Sequence, residues 1–191
     1  MKKLFITFIF FLGLTINLNA ETARIVSGNK NAKITIIAYE SLTCSHCADF
    51  HNKIYPLLKK EFIDTGLVKI EFRHFPLDVA AFNASKIAQC KIGQELKIIE
   101  SLYSNQQSWI KGKTVEELNK NLREFVKKEG FDINFEKCID NKEIEDFVLN
   151  DRIEGSKKFK INATPTIIIN NKKFEKSLNY KNLKKTIQKL I

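Results

Sequence analysis

The sequence predicts an α/β unit interrupted by a helical subdomain, and three features carry that expectation. An Ile-rich strand, a one-faced helix and an alternating strand follow one another between Lys33 and Arg73. A helical pattern then runs almost unbroken over about 78–158, too long for a simple crossover between strands. The chain afterwards returns to strand at Thr166-Ile167-Ile168-Ile169.

The first twenty residues stand apart from the rest. Lys2 and Lys3 precede an almost wholly apolar run from Leu4 to Leu18, and Leu18-Asn19-Ala20 ends on a small residue. This is the layout of a secretory signal peptide over residues 1–20, which leaves 21–191 as the working domain. The apolar run is about fifteen residues, short of the roughly 20 needed to span a bilayer. A cleaved leader is therefore expected rather than an anchor, and no Cys near the cut suggests a lipid attachment.

Lys33 to Glu40 (KITIIAYE) reads as a buried strand. From about Ser45 to Ile63, helical spacing puts Phe50, Ile54, Leu57, Leu58 and Phe62 on one broad face, with Pro56 expected to kink the helix near Tyr55. Val68 to Arg73 alternates strictly, the pattern of a half-buried strand, and a β-α-β start favours a parallel pair. In the helical block, Ile110, Val115, Leu118, Leu122, Phe125 and Val126 share one face of a helix ended by Gly130. Ile144, Phe147 and Val148 begin another. Beyond Ile169, Asn170-Asn171 predicts a turn, Lys172 to Glu175 a returning strand, and Leu183, Ile187 and Leu190 a closing helix over 180–191. Hydrophobic residues make up 43% of the chain, including fifteen Phe, so a substantial core can form. Seven Gly and three Pro are too few for a disordered chain.

The formal charge is +10, or +8 once Lys2 and Lys3 are set aside. Because the basic residues are dispersed along the chain, a solvated basic surface is expected and a nucleic-acid partner is not. Four Cys follow the leader, at 44, 47, 90 and 138, and an even count suits an oxidising compartment.

Cys44-Ser45-His46-Cys47 sits where the first predicted strand gives way to a helix. Two intervening residues at a helix start allow both sulfurs to meet in a disulfide. The first lies beside unpaired backbone N–H groups and the positive end of the helix dipole, which stabilise a thiolate and depress its pKa. His46, if protonated, adds a second positive influence. A stabilised thiolate favours the reduced pair and makes the disulfide a stronger oxidant. Cys44 is thus expected to be the exposed, attacking and attacked sulfur, and Cys47, one turn in, the buried resolving one. Other readings of the motif are weaker. Zinc requires two further ligands, and only His51, four residues after Cys47, is near in sequence. Haem attachment requires His directly after the second Cys, where this chain has Ala48. No metal or other cofactor is therefore expected. A purely structural disulfide is unusual at such a helix start.

A second feature is Ala163-Thr164-Pro165-Thr166, just ahead of the last strands, although Pro is simply permitted where a strand begins. Taken together, the Cys44–Cys47 motif with His46 before the second Cys, the Thr164-Pro165 loop and the element order resemble the DsbA-like branch of the thioredoxin fold over roughly Ile34 to Ile191. Phe75-Pro76-Leu77 and Leu102 to Trp109 are similar to that family as well. The resemblance implies a thioredoxin-like fold with its helical insertion at about 78–158. It implies a cis Pro165 against the catalytic Cys44, His46 and Cys47, with Thr164 and Ser45 contacting an extended substrate by strand addition.

Members of this family often carry a buried acid six residues before the first Cys. Here that position is Ala38 and the nearest acid is Glu40, expected as an exposed strand end, with proton transfer from a different place as the alternative. Ala163 replaces a frequent Gly. Cys90 and Cys138 are expected to form a structural disulfide by the same resemblance, with free buried thiols or a second redox pair as alternatives. His74 and Trp109 are expected to pack rather than react. The implied function is a periplasmic protein-disulfide oxidase acting on newly exported chains and reoxidised by a membrane partner of the DsbB type. Only about a dozen residues separate Ala20 from the first predicted strand, which favours a monomer without a dimerisation module. The alternatives are an isomerase or reductase of the same fold, or a metal- or thiol-holding module without turnover.

Overall fold

A computed structural model describes residues 22–191; the leader expected over 1–20 lies outside the described residues. Five strands form one sheet in the order β1-β3-β2-β4-β5, comprising β1 (Ile25–Ser27), β2 (Ile34–Glu40), β3 (Val68–His74), β4 (Thr166–Ile169) and β5 (Lys172–Lys173). As the β-α-β pattern predicts, β2 and β3 are parallel, with Ile36 beside Ile70 and Ala38 beside Phe72. Strand β4 returns antiparallel to β2. Strand β1, which the sequence reading omits, pairs antiparallel with β3. Three residues, Ile25-Val26-Ser27, are too short a signal to separate from a loop.

The helical stretch after β2 runs as α1 (Ser45–Asp49), a π segment at Phe50–Ile54, α2 (Tyr55–Leu58) and a second π segment at Lys59–Ile63. Pro56 falls in the first turn of α2, where a missing N–H does least harm. The π segments shift the register on either side of it, so Phe50, His51, Tyr55, Leu58, Phe62 and Ile63 are all buried.

The block between β3 and β4 holds α3 (Val79–Gln89), α4 (Glu95–Ser104), α5 (Gln106–Trp109), α6 (Val115–Lys128), α7 (Phe135–Ile139) and α8 (Lys142–Phe159). Helix α6 opens with a reciprocal capping box between Thr114 and Glu117. It leaves Ile110 outside, in the connection after α5, contrary to the grouping made from spacing. Gly130 follows it at φ +76°, a conformation that favours glycine. Cys90 and Cys138 are joined by a disulfide that ties the end of α3 to α7. Helix α8 crosses the sheet at Gly155, where an added Cβ would lie 2.8 Å from the Tyr39 ring. Only glycine lets this helix lie so close.

Beyond β4, Asn170 (φ +46°) and Asn171 (φ +65°) make the predicted turn, a left-handed pair matched to the twist of a hairpin. Strand β5 is shorter than expected: it covers only Lys172 and Lys173, one further backbone bond joins the Phe174 N–H to the Ile167 carbonyl at 2.9 Å, and the Phe174 side chain packs against the core. Helix α9 (Tyr180–Gln188), capped by the Asn179 side chain, closes the chain with Leu183 and Ile187 fully buried.

The Cys90–Cys138 bridge closes a separation of 48 residues. Replacing both cysteines by Ala should lower the unfolding free energy by about 4 kcal/mol on loop-entropy grounds, read as a lower denaturant midpoint.

Candidate functional site

Cys44 is the N-cap of α1, in extended conformation (φ −78°, ψ 120°), and its carbonyl accepts from the Cys47 and Ala48 N–H groups at 3.1 Å each. It is partly exposed, whereas Cys47, one turn in, is fully buried. Ser45 and His46 between them are exposed. The turn leading into the helix is pinned from the helical block. Gln106 Nε2 donates to the Leu42 carbonyl at 2.7 Å and the Cys44 carbonyl at 3.1 Å. Thr43 Oγ1 donates to Asp78 Oδ2 at 2.7 Å, while the other Asp78 oxygen caps α3.

The second loop comes from the start of β4. The Thr164–Pro165 bond is cis, and the Cys44 thiol donates to the Thr164 carbonyl at 3.3 Å. Thr166 Oγ1 donates back to the Ala163 carbonyl at 2.7 Å and closes the loop on itself. Residues 120 apart in sequence thus meet at one sulfur.

The two sulfurs are electrostatically unlike. The Cys44 thiol is lowered to about 5, first by a hydrogen bond from the Cys47 side chain, then by Thr164 and by the backbone N–H groups of Cys47 and His46, with burial opposing. The Thr164 hydroxyl is buried and has no other partner, so it is free to serve the thiolate. Among the groups that stabilise the Cys44 anion, His46 contributes its backbone N–H. Burial pushes the Cys47 thiol far up, helped by its hydrogen bond to Cys44 and by the charge of Glu40, with the Ser41 backbone opposing.

Glu40 overturns one expectation. It is not an exposed strand end but 5% exposed, with Oε2 2.7 Å from Nε2 of His51, itself 5% exposed. The ring of Tyr103 stacks on His51 at 4.2 Å between centroids. The signal was available. Glu40 is in phase with Ile34, Ile36 and Ala38 on the buried face of β2, and period 2 alone would have placed it inside. The remaining Glu40 oxygen and His51 Nδ1 are buried without partners.

His74 and Trp109 pack as structural residues. His74 Nε2 meets Gln89 Oε1 at 3.2 Å, and Trp109 Nε1 donates to the Leu102 carbonyl at 2.9 Å. Among the described residues, no group of three or more His, Cys, Asp and Glu is placed to hold a metal.

The sequence pattern of the thioredoxin family matches residues 20–189. The chain belongs to the thioredoxin family. Within that family its likeness is to DsbA proteins. The crystal structure of Wolbachia pipientis alpha-DsbA1 superposes with a TM-score of 0.77 at 29% identity, covering 87% of this chain and 90% of that one. Oxidised BdbD of Bacillus subtilis superposes at 0.73 with 25% identity, over 87% and 91% of the two chains. By sequence, disulfide bond formation protein D of Bacillus subtilis is 27% identical over 174 residues, 86% of this chain and 75% of the relative. A Rickettsia bellii protein named as a protein-disulfide oxidoreductase is 29% identical over 149 residues, 76% of this chain. The match spans 54–61% of the length of three Rickettsia relatives and 24–31% of two others.

In this DsbA-like thioredoxin domain, Cys44 of the reduced form should alkylate with a midpoint near pH 5 while Cys47 stays unreactive. The depressed folded value also sets the sign of a stability effect. The contribution is complete above the unfolded Cys value of about 8.5 and is lost as pH falls through the folded one. The reduced protein should therefore melt above the oxidised one at neutral pH, with the gap narrowing as the solution is acidified through about 5, measured by calorimetry.

Proposed function

We propose that the chain is an exported protein-disulfide oxidase that donates the Cys44–Cys47 disulfide to newly exported proteins in the periplasm. The observation that carries this reading is the opposed poise of the two sulfurs, one partly exposed and lowered to about 5, the other buried and raised. Such a pair favours the dithiol, so its disulfide is readily given away.

The exchange follows from the geometry. A substrate thiolate attacks the Cys44 sulfur, the Cys44–Cys47 bond breaks, and a mixed disulfide forms while Cys47 leaves and takes up a proton. The second substrate thiolate then attacks the substrate sulfur of that mixed disulfide, and Cys44 departs as a stabilised thiolate. The substrate gains a disulfide and loses two electrons, which the cysteine pair holds as a dithiol. A membrane disulfide carrier of the DsbB type is the proposed reoxidant. Pro165 and the Thr164 backbone beside Cys44 suit an extended chain laid across the sulfur by strand addition, with Ser45 at the rim. Main-chain recognition of this kind favours a catalyst with broad substrate choice, working as a monomer. Glu40, buried beside the turn that seats Cys47 and paired with His51, is the proposed proton donor to the Cys47 leaving group. It is also the acceptor when the pair is reoxidised. An isomerase or reductase would use the same two sulfurs, and the redox potential separates these readings.

Equilibration with glutathione should leave the Cys44–Cys47 pair reduced under conditions that keep a reductive thioredoxin oxidised. A pair that stays oxidised there overturns the oxidase assignment. Cys44→Ser should abolish oxidation of a reduced test peptide, whereas Cys47→Ser should accumulate mixed disulfides visible on non-reducing gels.

Glu40→Gln should slow the attack of Cys47 on a chromogenic thiol held at Cys44 by about 100-fold, the scale of general acid–base assistance. An unchanged release rate would leave Glu40 a packing residue.

A further inference from the structure

The basic residues are dispersed along the chain, but the acidic ones are not. Residues 22–155 contain twenty Lys and Arg and twenty Asp and Glu, whereas 156–191 contain ten Lys and a single acid, Glu175. The excess charge of the described chain therefore sits on the last turn of α8 and the connection after it, the β4–β5 hairpin and α9. Of these ten lysines, Lys158 faces Glu154 and Lys184 faces Glu61. The other eight form no ion pair among the described residues and are exposed.

This charge falls in two sets, one along α9 and one lining an apolar groove beside it. Lys181, Lys185 and Lys189 follow one another at helical spacing on the side of α9 opposite buried Leu183 and Ile187. Lys172, Lys173 and Lys176 line the groove beside the sheet edge against one acid, Glu175, in a hollow of about 330 Å³ walled by Ile169, Phe174 and Leu190. At its end Leu190 and the final residue, Ile191, are 47% and 66% exposed. Cations around exposed apolar side chains match the boundary where anionic headgroups meet acyl chains.

We propose that this hairpin and α9 form a docking face for a membrane surface rich in anionic phospholipid. Strand β4 runs antiparallel to β2, so Thr166 lies beside Tyr39 near Cys44 and Ile169 beside Ile36 at the far end. Docking by the groove leaves Cys44 turned away from the lipid and open to passing chains. The face is independent of the thiol chemistry. A nucleic acid would use the charge alone and has no need of the apolar groove beside it.

Sedimentation of the full chain with phosphatidylglycerol vesicles, against phosphatidylcholine vesicles, tests the face. Binding is expected only to the former and should fall in high salt. The triple variant K172E/K173E/K176E should lose at least about tenfold in affinity while its dithiol oxidation is unchanged. The triple variant K113E/K120E/K127E changes net charge equally on exposed lysines of the helical block, and it should bind nearly as well as the parent chain. Equal losses in the two variants would mean a net-charge effect and overturn the proposal. So would salt-insensitive binding kept by both variants, which the apolar residues 4–18 would cause, or equally tight, equally patch-dependent binding to duplex DNA.

Discussion

The sulfur anion at residue 44 is favoured first by the hydrogen bond from the Cys47 thiol, then by the Thr164 side chain and by the N–H groups that open α1. The first N–H groups of α1 have no carbonyl partners one turn back, and Cys44 as N-cap is the group they face. That constraint governs the surrounding structure. Strand β2 must end where α1 begins, the turn between them must be held in one conformation, and the second sulfur must lie one turn deeper. Burial then does the opposite work on Cys47, whose thiol becomes a donor to its neighbour instead of a competing anion. The difference between the sulfurs is one of position, since the two side chains are chemically identical.

The helical block is part of the site. Gln106 reaches across to hold two carbonyls of the Cys44 turn, Asp78 takes the Thr43 hydroxyl, and Tyr103 stacks on His51. None of these contacts comes from the sheet. The Glu40–His51 pair lies beside the sulfurs' turn at 2.7 Å, and each partner is nearly inaccessible to water. Breaking it would leave an uncompensated polar group in an aromatic pocket formed by Phe50, Tyr55, Phe72 and Tyr103.

Much of the fold was legible where local pattern and final burial agree. Strict alternation marked β3, the 3.6-residue period marked α6 and α9, and two asparagines marked the hairpin turn. Legibility failed where an element was too short or its neighbours decided its state. Strand β1 exists because β3 offers it an edge, and Ile110 falls outside α6 because a capping box at Thr114 starts that helix later. Glu40 was misread because its chemistry was weighed as a lone acid and its phase on β2 was not. The charge was likewise read from the spread of lysines, when the scarcity of acids after residue 155 was the informative count.

By itself the sequence determined the reactive motif, the order of the elements from β2 onward and the family they resemble, because all three are written in local spacing. What the tertiary structure alone decided is which distant groups share a space: the Thr164 carbonyl against the Cys44 thiol, His51 against Glu40, Gln106 over the Cys44 turn. Those meetings join residues 11 to 120 positions apart. They follow from how α1, the helical block and the sheet pack together, a three-dimensional outcome that no local period encodes.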